Sequence, residues 1–175
     1  MTEEALVKAC LENDRKSQKV LYDKYGSQTY GICLRYFKDE YEAQEAMQKT
    51  FIKVFKYLNT FKATGALGAW IRRIAITTCV EELMNRKKRL DFNQELNDNI
   101  QAYTEDHDQM TYDKMISMID LLPQGYRLVF NMYVLDEMRH AEIAEILQIN
   151  EATSRSQLLK ARKFLQNLFI EKKLL

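Results

Sequence analysis

The 175 residues are 46% hydrophobic and 29% charged, with one proline, five glycines and a formal net charge of +1, which fits a helical globular protein and excludes a disordered or fibrous chain. No apolar run approaches the ~20 residues of a membrane span, and the opening Met1-Thr2-Glu3-Glu4 lacks the basic and apolar regions of a secretory signal, which points to the cytoplasm. Cys10, Cys33 and Cys79 are odd in number and far apart, and His107 and His140 stand alone, so buried reduced thiols are expected, without metal or cofactor.

Apolar spacing predicts four helices in the first half of the chain. The first covers Glu3–Glu12. The second runs from Arg15 to Phe37 with a break near Gly26, turning Val20, Leu21, Tyr25, Tyr30 and Leu34 inward. The third spans Glu40–Leu58 on an apolar face of Ala43, Ala46, Met47, Phe51, Val54 and Phe55. A loop from Asn59 to Ala66 then leads into a fourth helix, from Leu67 through Trp70, Ile71, Ile74, Ala75 and Leu83 to the basic end Arg86-Lys87-Lys88-Arg89. An aromatic and a double arginine beside a loop, Trp70 with Arg72 and Arg73, suit an unstacked base held by stacking and backbone charge. A core tryptophan with solvated arginines fits the same residues.

The stretch from Asp91 to Asp108 is rich in Asn and Asp with little periodicity and reads as a flexible connector. A structureless segment of that length inside one compact domain is unusual, so two domains are expected. Charge divides the same way: residues 1–90 carry seventeen Lys/Arg against eleven Asp/Glu, residues 91–112 carry six acids and no Lys or Arg, and residues 113–175 carry nine against eight. A basic first block suggests contact with nucleic acid, although a solvated surface accounts for it equally. After the connector come helices over Met110–Leu121 and Gln124–Leu135, with Pro123 at the start of the latter.

The last third is the most directive. Ile143, Ile146 and Leu147 give one helix a packing face, Ile149 plugs a turn of about three residues, and Asn150 is placed to cap the next helix. Leu158, Ala161 and Leu165 carry the buried stripe of that second helix, with Ser154, Arg155, Gln157 and Lys160 towards the opposite side. This is the layout of a helix-turn-helix, whose second helix enters the major groove, where arginine and glutamine pair with base edges and lysine with phosphate. An ordinary pair of packed helices with a charged solvent face has the same spacing.

Four stretches in order, Tyr22-Asp23-Lys24-Tyr25, Glu42-Ala43-Gln44-Glu45 through Phe55, Ala69-Trp70-Ile71-Arg72-Arg73-Ile74-Ala75, and Leu122-Pro123-Gln124-Gly125-Tyr126-Arg127 before the helix-turn-helix, make the chain resemble bacterial extracytoplasmic-function sigma factors of the sigma-70 family over nearly its whole length. The tail Thr153–Leu158 is similar to the Bacteroidetes-type branch. The resemblance implies an all-α protein of two small helical domains: a region 2-like domain over 1–90, an acidic linker over 91–109 and a region 4-like helix-turn-helix domain over 110–175. It implies a transcription initiation factor that is not an enzyme and needs no cofactor or small-molecule substrate. Glu42, Glu45, Gln48 and Phe51 would dock on core RNA polymerase. Asn59, Phe61, Lys62, Trp70, Arg72, Arg73 and Thr77 would capture and melt the −10 element, and Arg155, Ser156, Gln157, Leu159 and Lys160 would read the duplex −35 element. An anti-sigma partner, membrane-anchored in many members, is implied as well.

Departures from the family pattern bear on that reading. Lys49 reverses a charge on the docking face, which would weaken core binding. Ala63 stands where glycine is common and Thr77 where asparagine is common, which would alter capture of a flipped base. Before the helix-turn-helix, Glu137 and Arg139 replace Gly and Ser, and Gln148 replaces a turn glycine. Arg139 cannot cap as serine would, leaving Glu142 without its capping-box partner at a cost of ~1 kcal/mol. Two other readings use the same residues: a helix-turn-helix regulator that binds duplex DNA without polymerase, and a degenerate sigma-like interaction protein that starts no transcription.

Overall fold

The computed structural model describes residues 2–62, 65–91 and 112–171, and side chains over 2–62, 65–86 and 114–170. The linker from Phe92 to Gln109, with His107, and the residues Ala63 and Met110 lie outside the described residues, as do the side chains of Lys87, Lys88 and Arg89. Every described element is helical, so the chain is all-α. It divides into two compact units, Met1–Asn85 and Arg86–Leu175.

The first unit packs α1 (Glu3–Leu11), α2 (Arg15–Tyr36), α3 (Glu40–Tyr57) and α4 (Leu67–Asp91). Each of the first three starts on a side-chain oxygen that satisfies an orphan backbone donor. Thr2 Oγ1 accepts from Ala5 N–H at 3.3 Å and Asp39 Oδ1 from Glu42 N–H at 2.9 Å. Asp14 accepts from the backbone of Lys16 and Ser17 and from the Ser17 hydroxyl, which holds its carboxyl below the usual range. Leu6, Leu21, Tyr25, Phe51, Val54 and Ile71 belong to one buried cluster drawn from all four helices.

α2 differs from expectation in two respects. It runs unbroken through Gly26, which is buried because α3 passes close: a Cβ there would sit 3.3 Å from Met47 Cε. Its buried phase is Ser17, Leu21, Tyr25, Thr29, Ile32, Cys33 and Tyr36. Val20 and Leu34 are therefore 48% and 39% exposed, one residue (about 100°) off that stripe, and Tyr30 is half-buried. All three cysteines are buried and outside any disulfide, and Cys33 and Cys79, distant in sequence, bring their sulfurs to 3.7 Å in the core.

The second unit contains α5 (Tyr112–Asp120), α6 (Gln124–Phe130), α7 (His140–Leu147) and α8 (Glu151–Glu171). Met118, Ile119 and Leu122 pack against Ala161 and Leu165. The Arg127 guanidinium donates to the Asp120 carbonyl at 3.2 Å, tying α6 to the end of α5. Past Phe130 the expected α-helix widens into a π-helical turn over Asn131–Leu135, closed by Asp136 N–H to Asn131 O at 2.9 Å. Asn131 and Met132 within that turn are both buried, at 1% and 0% exposure. No described helix is long and apolar enough to cross a membrane.

Candidate nucleic-acid interface

α3 ends in a short 3-10 turn, Leu58–Thr60, closed by Phe61 N–H to Leu58 O at 3.1 Å and by the Thr60 hydroxyl on Tyr57 O at 2.7 Å. Phe61 thereby faces Trp70 on the first turn of α4, with ring centroids 5.6 Å apart and planes at 53°. Both rings are half-buried and lean on the core cluster of the first unit. Their other sides line an open cavity of about 340 Å³, together with Thr60, Lys62, Gly65, Ala66 and Ala69. Aromatic walls beside an exposed Lys62 suit a planar ring followed by a phosphate. Trp70 thus has one side on the core and the other on the cleft.

The remaining residues expected here are less uniform. Asn59 is exposed on the 3-10 turn but does not line the cavity. Arg72 is half-buried and Arg73 exposed along α4, neither of them lining it. The Thr77 hydroxyl donates to the carbonyls of Arg73 and Ile74 of its own helix, both at 3.0 Å, which leaves its lone pairs to accept from a further partner.

On α3, Gln48 is exposed and Glu42 and Glu45 are half-exposed. Phe51 is 4% exposed and lies 4.6 Å from the Tyr22 ring, so it is a core residue and not part of a docking face. Lys49 spans Glu45 at 3.1 Å and Glu82 of α4 at 2.8 Å. Those carboxylates raise its pKa, Glu82 contributing most. Its charge is matched within the unit, so Lys49 does not stand on the surface as an unmatched reversal. Tyr41 and Ile52, 75% and 67% exposed, flank Gln44 and Gln48 at helical spacing. Sequence reading passed over both; the available signal was two large apolar side chains out of phase with Ala43, Ala46 and Val54.

The helix-turn-helix forms as its spacing predicts. Asn150 Oδ1 accepts from Thr153 N–H at 2.7 Å, capping α8. Gln148 ends α7 in the left-handed region at φ 54°, and Glu137 has φ 56°, two positions where glycine would be unstrained. Glu142 does find half of a capping box: its carboxylate accepts the Arg139 backbone N–H at 3.1 Å and lies 3.6 Å from Arg139 Nε. The other half is absent, because a guanidinium only donates.

Arg155, Ser156, Leu159 and Lys160 are exposed on α8, Leu159 at 55%. Arg155 pairs with Glu151 at 2.7 Å, and the Ser156 hydroxyl donates to Thr153 O at 3.0 Å. Gln157 is half-buried beside Gly125, turned towards α6 and off the outer face. Ser154, expected outward, is fully buried, with its Oγ 2.9 Å from His140 Nδ1. His140 in turn stacks on Tyr133 at 4.5 Å and 24°, and Arg162 lies 6.0 Å from the Tyr133 ring. Burial, with smaller contributions from Arg155 and Arg162, lowers the His140 pKa. The histidine that looked isolated in sequence is a link between the two helices of the motif, which only their packing could reveal.

Two family models match the chain, sigma-70 region 2 over residues 21–89 and sigma-70 region 4 over residues 112–165. The RNA polymerase sigma-H factor of Pseudomonas aeruginosa is 25% identical over 174 residues, covering 92% of this chain and 90% of its own. The ECF RNA polymerase sigma-E factor of Haemophilus influenzae is 23% identical over 180 residues, covering 95% of each. Among solved structures, the sigma factor RpoE crystallised with the anti-sigma factor NepR from Bartonella quintana shares the fold at a TM-score of 0.60, with 14% identity over 86% of this chain and 95% of its own.

Proposed function

The chain belongs to the sigma-70 family as a sigma factor of the extracytoplasmic-function type, and from that premise we propose how its residues divide promoter recognition. Residues 1–90 form the unit that docks on core polymerase and holds the −10 element. Residues 91–109 are the linker, and residues 110–175 read the −35 element. The observation that carries this division is the contrast in surface: an aromatic cleft in the first unit and an exposed basic helix face in the second. A melted strand needs stacking walls to offset the cost of unstacking, whereas a duplex presents base edges to a helix in its major groove.

In this reading Phe61, Lys62 and Trp70 receive a non-template base and its phosphate, with Arg72, Arg73 and Asn59 as flanking contacts. Arg155, Ser156, Leu159 and Lys160 meet the −35 element. Arg155 exchanges Glu151 for DNA, and the few contacts of one helix leave duplex binding dependent on polymerase. Core docking uses Glu42, Glu45 and Gln48 together with the exposed Tyr41 and Ile52. The chain carries out no bond chemistry of its own and works in the cytoplasm, where the chromosome is. An anti-sigma protein holds it inactive, a proposal supported by the complex in which the Bartonella protein was crystallised.

Run-off transcription with core polymerase on a genomic library tests the reading. Discrete transcripts that require both the protein and core are expected, and their upstream sequences yield the promoter. Absence of co-elution with core together with absence of transcripts would overturn it. Tight duplex binding by the isolated chain would instead favour a regulator acting without polymerase.

A further inference from the structure

The first turn of α4 carries one wall of the cleft, and the residue just before it, Ala66, has no side-chain acceptor to cap it. Ala66 supplies only its carbonyl, which accepts from Ala69 and Trp70 N–H at 3.1 and 3.3 Å. The backbone of Leu67, the first residue of α4, contributes to lowering the pKa of the Glu3 carboxylate on α1, far away in sequence. The same carboxylate accepts the Tyr25 hydroxyl at 2.7 Å and Lys24 Nζ at 3.0 Å. Tyr25 contributes most to holding Glu3 below the usual carboxylate range, so Glu3 is ionised at a helix N-terminus, where negative charge is favoured. The Tyr25 ring also supports that turn directly. It is 7% exposed and lies so close to Gly68 that a Cβ there would sit 3.2 Å from Tyr25 Cε1.

We infer that Glu3 and Tyr25 are positioning residues for strand capture: their hydrogen-bonded pair sets the start of α4, and with it Ala69 and Trp70, against Phe61. Neither residue lines the cavity, so both act through the turn they hold. The inference rests on the cleft being the single-strand site.

The probe is the non-template strand of a promoter recovered by run-off transcription, offered as a single-stranded oligonucleotide to the full chain bound to core polymerase. Glu3→Ala and Tyr25→Phe are expected to weaken capture by roughly 5-fold. Glu3→Gln, which keeps an acceptor oxygen for the Tyr25 hydroxyl, restores most of that loss. Affinity for core polymerase and for −35 duplex stays at the wild-type level in all three. Gly68→Ala reaches the same turn by crowding Tyr25 and gives the same selective loss, so the inference does not hang on one variant folding. Trp70→Ala, which removes a stacking wall outright, is the reference for loss of capture. If Trp70→Ala loses capture while Glu3→Ala and Tyr25→Phe retain it, the positioning role is wrong and the cleft stands. If core affinity falls in parallel with capture, the pair is general structural support and the inference is overturned. Capture that survives Trp70→Ala removes the cleft reading and this inference with it.

Discussion

The aromatic walls of the first unit and the basic side chains of the second stand in different relations to their cores. Phe61 and Trp70 press one side against the buried cluster and offer the other to the cleft. Arg155 and Lys160 project from α8, while Leu158, Ala161 and Leu165 of the same helix do the packing. The base capture proposed for the first unit is thereby bound to stability, because a stacking wall must be rigid and rigidity here comes from the core. The duplex reading proposed for the second unit is separable from stability, because a helix held by one face can change the other at little cost.

Trp70→Ala is the strongest way to break the comparison. It is expected to cost the first unit about 2 kcal/mol of stability, as removal of a half-buried large ring, and to lose about 1–3 kcal/mol of strand binding. Denaturant melting and oligonucleotide binding read the two, and loss of one without the other would separate the roles assigned to the ring. Arg155→Ala is the counterpart in the second unit. Stability should stay within about 0.5 kcal/mol, while discrimination at the contacted base falls by about 1–3 kcal/mol. Competition binding of the polymerase complex to single-base promoter variants measures it, and an equal loss across all variants would make Arg155 a phosphate contact.

Gln148→Gly sharpens the separation from the other side. Relieving the left-handed φ of 54° should stabilise the second unit by about 0.5–1 kcal/mol, with promoter choice unchanged in run-off transcription. Acidification probes the link between α7 and α8. The His140 pKa is lowered in the folded protein, so the unfolded chain takes up the proton first. The associated stability is present above the unfolded value of about 6.5 and is lost as pH falls through the folded value. The second unit should therefore melt earlier at pH 5 than at pH 7, and His140→Gln should flatten that dependence; an equal pH slope in the variant would exclude His140 as its source.

Sequence by itself determined the helices, their caps and the helix-turn-helix, because those depend on contacts within a few residues. Asp14, Asp39 and Asn150 sit one residue before the helices they cap, and Leu158, Ala161 and Leu165 repeat at helical spacing. Local pattern and family motifs named Phe61, Trp70 and Arg155 as the candidates on which the proposed function rests. Tertiary structure alone decided which face of α2 is buried, because a helix is legible by its period but its phase is set by the neighbours that cover it. It alone turned Phe51 and Ser154 inward, paired Lys49 with Glu82, joined His140 to Ser154 and brought Glu3 to the start of α4. Each of those pairs distant residues through packing of one helix on another, and no local pattern records which side chains such packing will bring together.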